Sequence, residues 1–134
     1  LPSDAIPWSG GKALVATGIP VEPVSYQGTK FHIGQGNNAL LYPGLGLGVI
    51  VSGARHVTDG MLLAAAQAVA GQVNPQELGA SLLPPVDNLR ASSATVAVAV
   101  AKQAVAEGVP PRQHDNWVQA VQDAMWQPAY PAAS

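Results

Sequence analysis

The stretch from Phe31 to Gly48 constrains the fold of this chain most, because a strand-like run leads through a glycine turn into a glycine-rich helix. Glycine in the turn lets the backbone approach a ligand, since it has no Cβ and tolerates positive φ. Asn37 and Asn38 add two amide groups at the same place. The turn is therefore either a ligand-binding strand-to-helix turn or a structural turn in which an asparagine caps the helix.

A dinucleotide-like pattern lies inside this stretch. Gly34-x-Gly36-x-x-Ala39 follows a strand-like run, and Asp59 has about the spacing of a ribose-binding acid. The acid of a true motif ends a second parallel strand, whereas the residues around Asp59 are typical of a helix start with Thr58 or Asp59 as the cap. The context therefore disfavours a pyrophosphate-binding turn.

The charge content limits the partners of the chain. Only 10% of the 134 residues are charged, against about 25% in a typical soluble domain, and 48% are hydrophobic. We expect that another protein segment covers part of this surface. The net charge of -2 gives no basic field, so we expect no nucleic-acid partner and no binding to an anionic membrane.

The chain has no cysteine, which excludes disulfides and thiolate metal sites and fits a cytoplasmic protein. Its longest apolar runs, Ala39–Val51 and Thr95–Ala101, are interrupted or too short for a bilayer, which needs about 20 apolar residues. The first residue is Leu1, and no signal-peptide pattern follows it. We expect no membrane span, and we interpret the chain as a processed product or a fragment.

The first half predicts a few strands. We expect an irregular entry segment anchored by Trp8, then a buried strand, an extended proline loop and a hairpin that turns at Gln27-Gly28. These predicted segments are residues 1–11, 12–17, 18–23 and 24–33.

The second half predicts helices, so the fold class is α/β and dominated by helices. Proline and glycine positions and polar caps place them at residues 43–53, 58–73, 87 or 88 to 107, and 117–125. Gly44, Gly46 and Gly48 each weaken the first of these helices by up to about 1 kcal/mol, which indicates close packing against a sheet or a cofactor. Trp117 and Trp126 are expected to hold the last segment on the body.

Catalytic residues are sparse. The histidines His32, His56 and His114 lack metal-ligand spacing, and the acids are scattered rather than paired. The residues alone therefore do not make a complete active site.

Two long runs closely resemble the malic enzyme family: Trp8–Val24 and Gly34–Gly48. Within the first, Ala16–Pro23 looks most like the malolactic enzymes, because other malic enzymes carry Ser-Pro-Phe after the glycine. The resemblance continues at residues 52–61, 82–85 and 126–130, so it covers nearly the whole chain.

The resemblance implies that residues 1–134 are the C-terminal portion of a Rossmann-like NAD-binding domain, with strands, glycine turn and first helix in 1–53 and C-terminal helices in 54–134. By match, Asn37 and Asn38 would contact the malate carboxylate, and Thr17, Gly18, Ile19 and Asn38 would lie near the cofactor. The family's catalytic tyrosine and lysine, its Mg²⁺ or Mn²⁺ ligands and its phosphate-binding glycines would lie upstream of this chain.

The implied enzyme transfers a hydride from malate C2 to NAD and then decarboxylates the product with help from the metal. A malic enzyme releases pyruvate and NADH, whereas a malolactic enzyme returns the hydride and releases lactate. The expected partners are L-malate, the remainder of the same enzyme and further copies in a homo-oligomer, and the chain alone is expected to be inactive. The alternative is a non-catalytic helical interaction module, which buried and fully paired Asn37 and Asn38 side chains would favour.

Overall fold

The computed structural model describes residues 1–109 and 114–128. The helices are α1 (Pro2–Trp8), α2 (Tyr42–Ser52), α3 (Asp59–Ala70), α4 (Leu89–Ala106) and α5 (Trp117–Ala124). The strands are β1 (Ala16–Thr17), β2 (Val24–Tyr26), β3 (Thr29–Phe31) and β4 (Gly34–Gln35), and short 3-10 turns cover Asn38–Leu40 and Val86–Asn88. The predicted helix-dominated α/β class is confirmed.

The four strands form two small sheets within the described residues. β1 and β4 are parallel, with Ala16 opposite Gly34. β2 and β3 form the predicted hairpin, whose turn places Gln27 and Gly28 at φ of 48° and 79°. The predicted strand over 12–17 is shorter than expected, since only its last two residues pair with β4.

Helix α2 packs closely on α4 through two of its glycines. A Cβ on Gly44 would lie 2.5 Å from the Cβ of Val96, and one on Gly48 would lie 2.7 Å from the Cβ of Val100. Both distances are too short for real carbon atoms, so only glycine fits. The expected close packing is confirmed at these two positions, but against a helix rather than a sheet or cofactor, and a Cβ on Gly46 would meet open space.

Helix α3 completes the main core with one of its faces. Met61 and Ala65 are fully buried, and they pack with residues of α2 and α4. The opposite face leaves Leu62 and Leu63 42% and 59% exposed. The apolar surface of α3 is therefore only half covered by the described residues.

The start of α3 is held by a side-chain cap and by the end of α4. Thr58 Oγ1 accepts a hydrogen bond from the Met61 backbone N–H at 3.1 Å, as the sequence predicts. The Glu107 carboxylate lies against Gly60, and Gln103 donates to it at 2.8 Å. The hydrogen bond from Gln103 and then that from Thr58 lower the pKa of the Glu107 carboxyl group below its ordinary value. Desolvation opposes this effect, and the charge of His56 adds a smaller lowering.

Two expectations about tryptophan are wrong. The N-terminal segment is the helix α1, whose buried residue is Ile6, while Trp8 is 85% exposed. Trp126 is 78% exposed, and its backbone carbonyl rather than its ring is held, by a 3.0 Å hydrogen bond from Arg90 Nη1. Trp117 does pack against the smaller core cluster.

Candidate functional site

The predicted site residues come together at the carboxyl ends of two parallel strands. β1 ends at Thr17 and β4 at Gln35, and these residues are register partners. The Gly36 N–H donates to the Thr17 carbonyl at 2.8 Å, which ties the loop after β1 to the turn after β4. Ligands in open parallel sheets bind at this end of the strands.

The loop after β1 is held by its own threonine. Thr17 Oγ1 donates a hydrogen bond to the carbonyl of Ile19 at 2.8 Å. This bond engages the hydroxyl within the loop, so Thr17 shapes the loop while Gly18 and Ile19 form its exposed surface. Ile19 is 70% exposed, so the loop presents an apolar side chain at its surface.

The two asparagines occupy different environments. Asn37 caps the 3-10 turn, with its Oδ1 accepting from the Ala39 N–H at 2.9 Å. This bond engages the amide oxygen, and within the described residues the Asn37 Nδ2 group has no acceptor. The Asn38 side chain is exposed. The structural interpretation therefore holds for Asn37, because its oxygen caps the turn. Ligand binding by the remaining amide donors stays a prediction.

The two glycines of the turn serve different purposes, and neither adopts the positive φ that motivated their interpretation. A Cβ on Gly34 would lie 3.0 Å from the backbone nitrogen of Leu83 and from the Ser81 hydroxyl oxygen. A Cβ on exposed Gly36 would meet only the Thr17 carbonyl oxygen, at 3.7 Å. The described residues thus give no steric reason for glycine at position 36, and its open side can admit a ligand.

The dinucleotide-like pattern is not a pyrophosphate turn. Gly34 lies within β4, and Asp59 is the first residue of α3 rather than the end of a strand. The pattern was correctly disfavoured.

The described residues contain no group of three or more His, Cys, Asp or Glu side chains that could hold a metal ion. A cavity of about 560 Å³ lies between the β3–β4 segment and residues 72–87, and its lining includes Lys30, His32 and Glu77 but neither Asn37 nor Asn38. Sequence reasoning missed this cavity, because its walls are distant in the chain. No helix in the described part of the chain is long and apolar enough to cross a membrane.

Comparison with known families adds to this geometry. The family model described as "Malic enzyme, NAD binding domain" matches residues 1–105. The chain belongs to the malic enzyme family. The predicted resemblance is confirmed, and the strand-end loops described above lie within the matched range.

Several curated malic enzyme family members are similar over almost the whole chain. Identity is 55% over 129 residues to "NAD-dependent malic enzyme 3" of Bacillus subtilis, 57% over 130 residues to "Putative malate oxidoreductase [NAD]" of Mycobacterium tuberculosis, and 48% over 127 residues to "Malolactic enzyme" of Leuconostoc mesenteroides. The alignments cover 95–97% of this chain but only 23–24% of each relative. The chain therefore spans about a quarter of the length of these relatives.

Solved malic enzyme structures share the fold. The malic enzyme of Pyrococcus horikoshii superposes with a TM-score of 0.71 at 31% identity, over 92% of this chain and 25% of its own. The Entamoeba histolytica malic enzyme gives 0.63 at 28% identity, over 83% of this chain and 21% of its own. The malic enzyme fold assignment thus holds for most of the described residues.

Proposed function

We propose that residues 1–134 form the C-terminal portion of the NAD-binding domain of a longer enzyme that decarboxylates L-malate. One observation carries the proposal: the Gly36–Thr17 hydrogen bond joins two strand-end loops, one of which presents Asn37 and Asn38. The names of the relatives include NAD-dependent malic enzymes and malolactic enzymes, which supports malate as the substrate class. The same proposal divides the chain at residue 53, with the strands, the glycine turn and the first helix before it and the C-terminal helices after it.

In this proposal the amides hold a carboxylate of malate. The Ala39 N–H engages the Asn37 oxygen, and the Nδ2 group, which has no acceptor among the described residues, can donate to a carboxylate. Asn38, which is exposed, offers a second amide from the adjacent position. Held at both points, the substrate keeps its C2–H bond aimed in one direction, which lowers the entropy cost of the reaction.

The same proposal places the nicotinamide beside Thr17, Gly18, Ile19 and Asn38. The exposed backbone of Gly18 and the open side of Gly36 leave room for a planar ring. NAD, when bound, accepts the hydride from malate C2. The chain's own contribution is to shape the loop through the Thr17 hydroxyl and to shield one side of the ring with the apolar Ile19 side chain.

The expected Mg²⁺ or Mn²⁺ does not fit the described residues of this chain, which supply no cluster of three acidic or imidazole ligands. We assign its ligands to the remainder of the enzyme, together with the catalytic tyrosine and lysine.

The remainder of the enzyme is the proposed main partner of this chain. Several large apolar side chains are exposed, among them Leu1 and Trp8, at 89% and 85%, and Ile19 in the loop after β1. In this proposal the remainder of the enzyme covers them. Buried and fully paired Asn37 and Asn38 side chains would favour the competing interpretation, a helical interaction module. Asn38 is exposed, so this support is absent. Assembly into a homo-oligomer stays a prediction.

Turnover by the whole polypeptide that contains this chain tests the proposal. It is incubated with L-malate, NAD and Mn²⁺, and we expect carbon dioxide with either pyruvate and NADH or lactate. Ala16–Pro23 resembles the malolactic enzymes, while the whole chain is more identical to the two malate oxidoreductases above, so both products are measured. The isolated 134-residue chain is the control, with no turnover expected. Absence of malate turnover by the whole polypeptide would overturn the proposal.

A further inference from the structure

We propose that the chain has a binding site for an amphipathic carboxylate, meaning an apolar body with one negative charge, in a groove between α2, α4 and the segment after α5. This tail groove has a volume of about 410 Å³, within the usual range of about 300–1,000 Å³ for ligand sites. It is separate from the loops assigned to malate and NAD, although Ala39 at its edge follows Asn38 directly.

The walls of the tail groove are apolar. Pro43 and Leu47 come from α2, Leu89 from α4, and Met125 and Trp126 from the segment after α5. The Trp126 ring is 78% exposed although its backbone is fixed, so a large aromatic face stands at the rim without cover from the described residues. Such a surface gains free energy when an apolar body displaces water from it, by about 25 cal/mol per Å².

One cation and no acid lines the tail groove. The guanidinium of Arg90 is positioned by a single hydrogen bond from Nη1 to the Trp126 carbonyl, at 3.0 Å. No carboxylate forms an ion pair with it in the described part of the chain, and Asp87, one turn earlier, lines the other cavity instead. Arg90 therefore keeps donors that a carboxylate can accept in the forked geometry that guanidinium favours.

The charge pattern selects the occupant. Arg90 is exposed, so a neutral apolar molecule would leave its cation with water alone and gain nothing from it, whereas a small anion such as acetate would leave the apolar walls in water. A molecule with both features satisfies the cation and the walls together. The same reasoning disfavours a basic peptide, which would bring a second positive charge to the groove.

Isothermal titration calorimetry on the whole polypeptide tests this site, with octanoate as the probe. We expect octanoate to bind saturably with one molecule per chain, up to about fivefold more tightly than 1-octanol, which lacks the charge that pairs with the exposed Arg90. Acetate lacks the apolar body and should bind more than about a hundredfold more weakly than octanoate. Equal affinity for octanoate and 1-octanol would overturn the proposal, as would the absence of saturable heat at millimolar octanoate.

Two variants and a control locate the binding. Arg90→Gln keeps an amide donor at this position but has no charge, so octanoate should bind up to about fivefold more weakly while 1-octanol is unaffected. Leu47→Phe adds volume inside the groove and should weaken both ligands. Arg55→Gln removes the same charge at an exposed position outside the groove and should change neither affinity. Unchanged octanoate affinity in folded Arg90→Gln would refute the assignment, whatever the outcome of the malate assay.

Discussion

Asn37 offers a sharp test of the proposed malate site, because its two amide atoms have separable roles. The Oδ1 atom accepts from Ala39 N–H at 2.9 Å and caps the turn, whereas Nδ2 is the group that the proposal assigns to the substrate. Aspartate and serine are both good N-cap residues, so Asn37→Asp and Asn37→Ser keep the cap. Asn37→Ala removes the cap as well and should cost about 1 kcal/mol of stability.

The expected effects on malate turnover follow from the donor that is lost. Asn37→Ser removes a hydrogen bond to a charged group, about 1.5–3 kcal/mol, and should lower kcat/KM for malate by about tenfold to a hundredfold. Asn37→Asp also places a negative charge against the substrate carboxylate. At about 4 Å and an effective dielectric constant of about 20, this repulsion adds about 4 kcal/mol, so the loss should exceed about a thousandfold.

The assay is steady-state malate turnover by the whole polypeptide, together with urea unfolding of each variant. Asn74 provides a matched control, because its Oδ1 accepts from the Gln76 N–H at 3.1 Å in a similar turn elsewhere. Asn74→Asp should leave malate kinetics unchanged. Wild-type turnover by a stable Asn37→Asp enzyme would refute the assignment. So would losses of activity that merely follow the losses of stability across the three variants.

Three further predictions concern stability, each measured by chemical denaturation. Gly48→Ala should destabilise the chain by about 1–3 kcal/mol because the new methyl meets Val100, whereas Gly46→Ala, in open space, should stabilise it by up to about 1 kcal/mol; equal effects would refute the packing argument. Thr58→Ala should cost about 1 kcal/mol by removing the cap of α3, and an unchanged unfolding midpoint would contradict this. The lowered pKa of Glu107 means that its contribution is present above the unfolded-state pKa and is lost as pH falls through the folded-state pKa. Glu107→Gln should therefore flatten the acid limb of the stability profile, and an identical profile would disprove it.

Local chemistry made much of the fold predictable. Helix α3 starts after Thr58 because a hydroxyl can cap it, and α2 ends at Gly53 because its φ of 74° suits glycine. The hairpin follows from its turn residues in the same way. Each of these signals involves only a few neighbouring residues, so it can be recognised in the sequence without knowledge of the tertiary contacts.

Features made by distant segments were not predictable. The glycine spacing of α2 indicated close packing. Its partner, α4, lies about fifty positions later, and no local sequence pattern identifies α4 as the partner. Helix α1 was missed because two prolines suggested a loop. Pro2 sits in the first turn, where the missing N–H costs little, and burial of Ile6 to 1% exposure favours the helix despite Pro7.

The candidate site likewise has features that the sequence predicts and features that it does not. The resemblance placed the strand-end loops, and the structure brings them together through the parallel pairing of β1 with β4. The sequence could not show that the Asn37 oxygen is engaged by the Ala39 N–H while the nitrogen has no acceptor among the described residues, because capping and ligand-binding asparagines look alike in a sequence.

The contact of Gly44 and Gly48 with α4 affects how precisely Asn37 and Asn38 are positioned. The turn leads directly into α2, and α2 can pack only where Val96 and Val100 of α4 fit over its two glycines. A substitution at Val96 or Val100 that alters this fit should shift α2 and, with it, the turn that carries Asn37 and Asn38. The proposed contact with malate should then be lost before the chain unfolds.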